Sequence, residues 1–169
     1  GMYKEDESLE GAFKYLVMSS VAGVLILCGI AVLFMFTGSL RFANLVPIDV
    51  SLVTGTGRVV LSVSVILMLS GFCIKAGAAP FHNWLPDAHQ SADTAISVLL
   101  SGIVIKVAGI YGIMTLAKLF RALHEISLAL SAIGLLSILA GALLALRQTH
   151  FKRTAAYSSV SQTGYILLG

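Results

Sequence analysis

Long apolar stretches dominate this sequence and restrict it to a fold that lies in a lipid bilayer. The stretch from Ala95 to Leu116 has 22 residues, and Lys106 is its only charged residue. About 20 consecutive apolar residues suffice for a helix to cross the hydrocarbon core of a bilayer. Because backbone polar groups find no water there, each such stretch is predicted to form a transmembrane helix.

The composition supports this membrane class and excludes others. Charged residues make up 11% of the chain and hydrophobic residues 57%, whereas a soluble globular chain has about 25% charged residues. The net charge of +3 is small, and the basic residues are scattered through predicted loops. A nucleic-acid-binding role is therefore excluded. Nucleotide-binding loops, nucleophile elbows, paired cysteines and haem motifs are also missing from the sequence, so we expect no catalytic or redox centre.

The predicted fold is an all-α polytopic bundle of about five membrane segments in one membrane domain, residues 1–169. Pro80 lacks an amide proton and clashes with the carbonyl four residues earlier, so the second helix should break just before it. The chain ends inside an apolar run, and we expect it to be a fragment. The predicted helices span 13–36, 59–75 with a broken second half at 81–90, 95–117, 126–146 and 154–169.

Lys106 is the residue with the clearest functional implication. An ammonium near the centre of a membrane helix costs roughly 3 kcal/mol to insert. Burial disfavours the charged form of an amine, so we predict that Lys106 exchanges protons near neutral pH. Gly102, one turn earlier, should leave room on the same face, and Ser101 can hold water there. The alternative is a lysine that merely pairs with a neighbouring subunit.

Lys75 ends the apolar stretch that begins at Val59. If the helix breaks before Pro80, Lys75 lies at the carboxyl end of a half-helix, whose partial negative charge stabilises a cation. Transporters place ion sites at such interruptions. Gly71, one turn earlier, should again leave space on the same face. The alternative is that Lys75 extends to the lipid headgroups.

Other polar residues are weaker candidates. None of the eight acidic residues lies inside an apolar stretch, so the carboxylate partner of the lysines is expected to come from outside this segment. His82 and His89 flank a Trp84–Asp87 segment, but no metal-binding helix pattern joins them. We predict a hydrogen-bonded connector rather than a metal site, with His82 at the mouth of a proton path.

Four segments, in order along the chain, carry a resemblance to a known family: Leu9–Leu16, Lys75–His89, Ser97–Lys106 and Gln148–Tyr165. Together they resemble the antiporter-like, proton-translocating membrane subunits of respiratory complex I. The same family includes subunits of membrane-bound hydrogenases and of multisubunit cation/proton antiporters. The resemblance covers nearly the whole chain.

The resemblance implies a central slice of a larger inverted-repeat transporter fold, roughly its sixth helix to the start of its tenth. Lys75 would match the lysine on the broken seventh helix, and Lys106 the connecting lysine of the eighth. Protons would pass through these lysines, driven by electron transfer in partner subunits that carry flavin mononucleotide and iron–sulfur clusters. This segment would lie in a bacterial or archaeal cell membrane or in an organellar inner membrane, and it would bind neither a cofactor nor quinone.

Two departures from the family pattern indicate to which branch of the family this chain belongs. Residues Ser91–Ala95 replace a proline-bearing stretch, and Ser101 stands where some members have histidine. Both favour the branches that contain NADH–quinone oxidoreductases or hydrogenases. We therefore predict a proton-translocating subunit of an NADH–quinone oxidoreductase-type complex. The alternatives are a subunit of a cation/proton antiporter or membrane-bound hydrogenase, and a membrane scaffold in which both lysines only anchor neighbouring helices.

Overall fold

Every regular element that the structure describes is a helix, which confirms the predicted all-α class. The structure is a computed structural model that describes residues 2–41, 53–120 and 124–169. The helices, in chain order, are α1 (Met2–Thr37), α2 (Thr56–Ala76), α3 (Trp84–Ser91), α4 (Thr94–Leu119), α5 (His124–Leu146) and α6 (Phe151–Leu168).

Four of these helices are long and apolar enough to cross a membrane: α1 from Ser8, α2, α4 and α5 from Ile126. The sequence predicted about five such segments. The difference is α6, whose 18 residues include Lys152, Arg153 and several serines and threonines. Its polar face packs against other helices, as described below.

The observed helix ends differ most from the predicted ones at the amino terminus. The sequence predicted a start at residue 13, but α1 begins at Met2. Glu10, within this amino-terminal extension, forms an ion pair at 2.7 Å with Lys14 four residues later, a spacing that stabilises helices. Much of the loop predicted between residues 37 and 57 lies outside the described residues, at 42–52.

The broken helix has its break at a glycine. Helix α2 ends at Ala76, and Gly77 adopts the left-handed conformation with φ of 63°. The amides of Gly77 and Ala78 donate to the carbonyls of Ile74 and Cys73, at 3.1 and 3.0 Å. This is the usual glycine termination of a helix, and it precedes Pro80 by three residues. The second half, predicted from residue 81, begins at Trp84.

The middle of α4 is a π-helix from Leu100 to Ile110, flanked by ordinary α-helical turns. Its end is marked by the Tyr111 amide, which donates to the carbonyl of Lys106 five residues earlier. π-Helical turns are rare and occur frequently at functional sites. No sequence pattern predicted this segment.

Two buried clusters hold the helices together. The larger lies where α1, α2, α4 and α5 meet and includes Leu33, Leu61 and Phe120. The smaller joins α3 to α4 and α6 through Leu85, Ile105, Val160 and their neighbours. Since lipid is as apolar as leucine, such helices associate through close van der Waals packing and interhelical hydrogen bonds.

Candidate functional site

Lys106 lies on the inner side of α4, between the buried residues Ile105 and Gly109. Its side chain is half-buried, and its Nζ atom is inaccessible to solvent and has no hydrogen-bond partner among the described residues. A buried amine without a partner is unfavourable in a purely structural role. Its position therefore suits a group that interacts with water or with a carboxylate from another part of the protein.

Lys75 occupies the last turn of α2 and faces a small cavity of about 40 Å³. Tyr15 and Ser19 of α1, Trp84 of α3, and Val104 and Ala108 of α4 are among the residues that line the cavity. A single water needs roughly 10–15 Å³ by the same measure, so the cavity has room for a few waters. Lys106 lies between Val104 and Ala108 in the sequence but does not line this cavity.

Trp84 forms one wall of the Lys75 cavity. Trp84 is buried, with 5% of its surface exposed. Its indole Nε1 donates a hydrogen bond of 3.1 Å to the carbonyl of Ile74, near the open end of α2. Its ring packs against Tyr15, with centroids 5.5 Å apart. The short half-helix α3 is thereby attached to both α1 and α2.

His82 precedes α3 and is 7% exposed. Neither ring nitrogen has a hydrogen-bond partner among the described residues. The ring approaches Tyr157 of α6 edge-on, with centroids 6.1 Å apart. Burial lowers the pKa of His82, so the ring is neutral at neutral pH. Its place at the mouth of a proton path stays a prediction.

The four predicted supporting residues occupy different settings. Pro80 is exposed in the turn after α2. Gly71 lets α1 approach closely, because a Cβ there would lie 2.7 Å from the Ala22 carbonyl oxygen, so its space is already filled. Gly102 has nothing within 4 Å of where a Cβ would be and is exposed. Ser101 donates a hydrogen bond to Ser159 of α6 at 3.3 Å.

Asp87 of α3 is the centre of an ion-pair cluster that sequence reasoning did not identify. Lys14 of α1 donates to Asp87 at 2.7 Å, and Arg153 of α6 donates to its other oxygen at 2.5 Å. With Glu10, these three residues border a polar cavity of about 200 Å³. We call these four residues the Asp87 cluster; Asp87 lies more than 60 positions along the chain from both Lys14 and Arg153. Only the Glu10–Lys14 spacing was visible as a local pattern.

The basic side chains of the Asp87 cluster stabilise the ionised form of the Asp87 carboxylate. Burial alone would raise the pKa of Asp87, but the hydrogen bonds from Lys14 and Arg153 outweigh it and hold the pKa below its ordinary value. The carboxylate is three-quarters buried, with a side-chain exposure of 25%. The structure thus places a doubly paired carboxylate in the first turn of α3, and neither Lys75 nor Lys106 takes part in the cluster.

Within the described ranges, no three histidine, cysteine or acidic side chains lie close enough to hold a metal ion. His82 and His89 belong to the same broken-helix connector, but each faces a different neighbour: Tyr157 for His82 and Ser97 for His89.

The whole chain, residues 1–169, matches the family described as "NADH:quinone oxidoreductase/Mrp antiporter, TM". The chain belongs to this family. Its membership confirms the resemblance carried by the four sequence segments. Together with four helices able to cross a bilayer, it makes the chain an integral membrane protein.

Relatives in the antiporter-like family are similar along nearly all of this chain. NADH-quinone oxidoreductase subunit N of Herminiimonas arsenicoxydans is 37% identical over 96% of the chain, and that of Psychrobacter arcticus is 38% identical over 98%. In both cases the match covers 33% of the relative. The chain thus spans about a third of the length of the relatives that it matches.

Solved structures of the antiporter-like family share this arrangement of helices. The Mrp complex of Dietzia sp. DQ12-45-1b superposes with a TM-score of 0.84 at 26% identity, over 95% of this chain and 29% of that one. An archaeal membrane-bound sulfane sulfur reductase gives 0.82 at 32% identity, over 96% and 33% of the two chains. Respiratory complex I of Thermus thermophilus gives 0.74 at 31%, over 95% and 33%.

Proposed function

We propose that this chain is part of a proton-translocating membrane subunit of an NADH–quinone oxidoreductase-type complex. The observation that carries the proposal is the Lys106 amine, which is buried near the middle of a membrane-spanning helix without a hydrogen-bond partner in the described structure. The relatives named NADH-quinone oxidoreductase subunit N support the assignment to this type of complex.

In this proposal Lys75 and Lys106 alternate between charged and neutral forms. A low local dielectric strengthens the interaction between charges, so a change at one lysine affects the proton affinity of the other. The small cavity at Lys75 supplies room for the water that a proton transfer from its amine requires. The carboxylate that balances the charged lysines would come from another part of the protein, because Asp87 is already paired with Lys14 and Arg153.

The driving reaction would take place on other subunits of the complex. Flavin mononucleotide and iron–sulfur clusters there would supply electron transfer, and this segment would contribute the movement of protons but no redox chemistry. The structural relatives named above belong to multisubunit membrane complexes, which supports partners of this kind. Quinone would bind outside this segment.

A second candidate function is a cation/proton antiporter subunit, in which an ion gradient replaces electron transfer. The Mrp complex of Dietzia, with its TM-score of 0.84, supports this candidate. The two functions differ in what drives proton movement. An antiporter would move protons in vesicles that contain a sodium gradient and no electron donor.

The proposed function is tested by replacing Lys106 with methionine in the full complex, reconstituted in vesicles. Lys118→Met is the matched control, because Lys118 lies in the same helix but is exposed. Proton uptake is followed with a pH-sensitive dye while quinone reduction by NADH is recorded in parallel. We expect Lys106→Met to assemble and to lose proton uptake, and Lys118→Met to keep it. A normal ratio of protons to electrons in Lys106→Met would show that the proposal is wrong.

A further inference from the structure

His89, in the last turn of α3, is a buried histidine that the proposed pair of lysines does not use. It is 3% exposed. Its Nδ1 lies 2.5 Å from the hydroxyl of Ser97 in the first turn of α4. Its Nε2 is buried and has no partner in the part of the chain that the structure describes. A hydroxyl both donates and accepts, so the Ser97 contact suits either tautomer of the ring.

Polar side chains continue from Ser97 along α4. Ser101 follows four residues later, which is one helical turn, and residues at this spacing are neighbours on one face. Its hydroxyl donates to that of Ser159, a buried residue of α6. The face of α4 that begins at Ser97, beside His89 of α3, thus carries a polar side chain in two successive turns.

The π-helical segment brings Lys106 into register with this face. Lys106 follows Ser101 by five residues, and in an α-helix of 3.6 residues per turn that spacing would turn the two side chains about 140° apart. In a π-helix each turn closes between residues five apart, so such residues are neighbours along one face. Both Ser101 and Lys106 lie within the π-helix Leu100–Ile110.

The charges around His89 favour a neutral ring. Lys152 of α6 lies beside it and donates to the Ala92 carbonyl at 2.7 Å. Burial and, to a smaller extent, the charge of Lys152 lower the pKa of His89. The neighbouring acid Asp93 is exposed at the start of α4. At neutral pH the ring is therefore able to accept a proton.

We propose that His89, Ser97 and Ser101 form a proton-conducting track along α4 that ends at Lys106, with His89 as its first carrier. The proposal rests on the proposed function, since it needs Lys106 to accept protons. Each carrier gains one proton and releases one. Nε2 of His89 accepts a proton, and Nδ1 of the same ring donates its proton to the Ser97 hydroxyl. Water then carries a proton past Ser101 to the neutral amine of Lys106. No electron moves.

The alternative is that the His89–Ser97 contact only holds the corner between α3 and α4. Replacing His89 by glutamine distinguishes the two roles, because a glutamine side chain is flexible enough for its amide to reach the Ser97 hydroxyl but does not carry a proton at neutral pH. His150→Gln is the matched control, since His150 is exposed just before α6 and its side chain makes no capping bond. Ser101→Ala tests the middle of the track, and Ser131→Ala is its control because Ser131 occupies an exposed position on α5.

The four variants and Lys106→Met are compared in the reconstituted complex, with proton uptake measured per electron transferred. We expect His89→Gln and Ser101→Ala to assemble and to lower proton uptake by about tenfold or more, while both controls keep it. If Lys106→Met abolishes uptake but Ser101→Ala and His89→Gln leave it unchanged, the track is wrong and the proposed function stands. If Lys106→Met itself pumps protons normally, both the proposed track and the proposed function are wrong. Should His89→Gln not assemble, the Ser101→Ala result decides.

Discussion

Replacing Asp87 by asparagine should loosen the half-helix α3 from its neighbours. The carboxylate accepts one hydrogen bond from Lys14 of α1 and another from Arg153 of α6. Asparagine keeps one acceptor oxygen but loses the charge. The variant therefore weakens both attachments and keeps a side chain of nearly the same size at position 87.

The expected magnitude follows from the geometry. A hydrogen bond to a charged group contributes about 1.5–3 kcal/mol when buried. These side chains are 25% to 42% exposed, and exposed ion pairs contribute about 1 kcal/mol or less. Two bonds of intermediate exposure give about 2 kcal/mol in total. Since 1.4 kcal/mol is a factor of ten, opening of α3 should become roughly 30-fold more frequent.

Amide hydrogen exchange measures this opening directly. We expect faster exchange of the amide hydrogens of α3, which all its residues except Pro86 carry, in Asp87→Asn and unchanged exchange in α5. Asp93→Asn is the control, because Asp93 is exposed and makes no side-chain cap to α4. Equal α3 exchange in the two variants would show that the Asp87 cluster does not hold this helix.

Lowering the pH should loosen α3 from its neighbours in the same way as Asp87→Asn does. The pKa of Asp87 is held below its ordinary value in the folded protein. The stabilisation is therefore complete above the ordinary pKa of about 4 and is lost as the pH falls through the lower, folded value. Trp84 is the single tryptophan of this chain, so its fluorescence reports on α3. We expect it to change over this acidic range in the wild type but not in Asp87→Asn.

Three further substitutions test the packing around the two lysines by thermal unfolding. Trp84→Phe removes the indole bond to the Ile74 carbonyl, which keeps its bond from the Gly77 amide, so the loss of one ordinary hydrogen bond should cost about 0.5–1.5 kcal/mol. Gly109→Ala would place a Cβ 2.5 Å from the backbone of Ala76, so it should separate α2 from α4 at a cost of about 1–3 kcal/mol. Gly102→Ala is its control and should change stability by less than about 1 kcal/mol, because the space beside it is open. Equal stability of the two alanine variants would contradict the described contact of Gly109.

The parts of the fold that follow from local physics were accessible from the sequence. In a membrane, hydropathy alone decides where α2, α4 and α5 can lie, because an apolar stretch of this length has no other stable environment. The placement of Lys106 within a span follows from the same count of residues. The break after α2 was predicted because Pro80 forbids a continuous helix, although Gly77 ends the helix earlier by adopting a left-handed conformation.

The parts that depend on distant residues were not accessible. Nothing local links Asp87 to Lys14 or Arg153, and the three meet only because α3 folds back between α1 and α6. The burial of Trp84 has the same cause. The π-helical turns around Lys106 carry no known sequence signal, since their residues would form an ordinary α-helix equally well.

The short helix α3 connects the surroundings of both lysines. With eight residues it is too short to be stable alone, so its position depends on its contacts. Three of its side chains form hydrogen bonds to other helices: Trp84 to the end of α2, Asp87 to α1 and α6, and His89 to the start of α4. Trp84 is also a wall of the Lys75 cavity, and His89 begins the polar face that leads towards Lys106. A displacement of α3 would therefore alter the water available to both amines together, which gives the broken helix a physical role beyond interrupting the span.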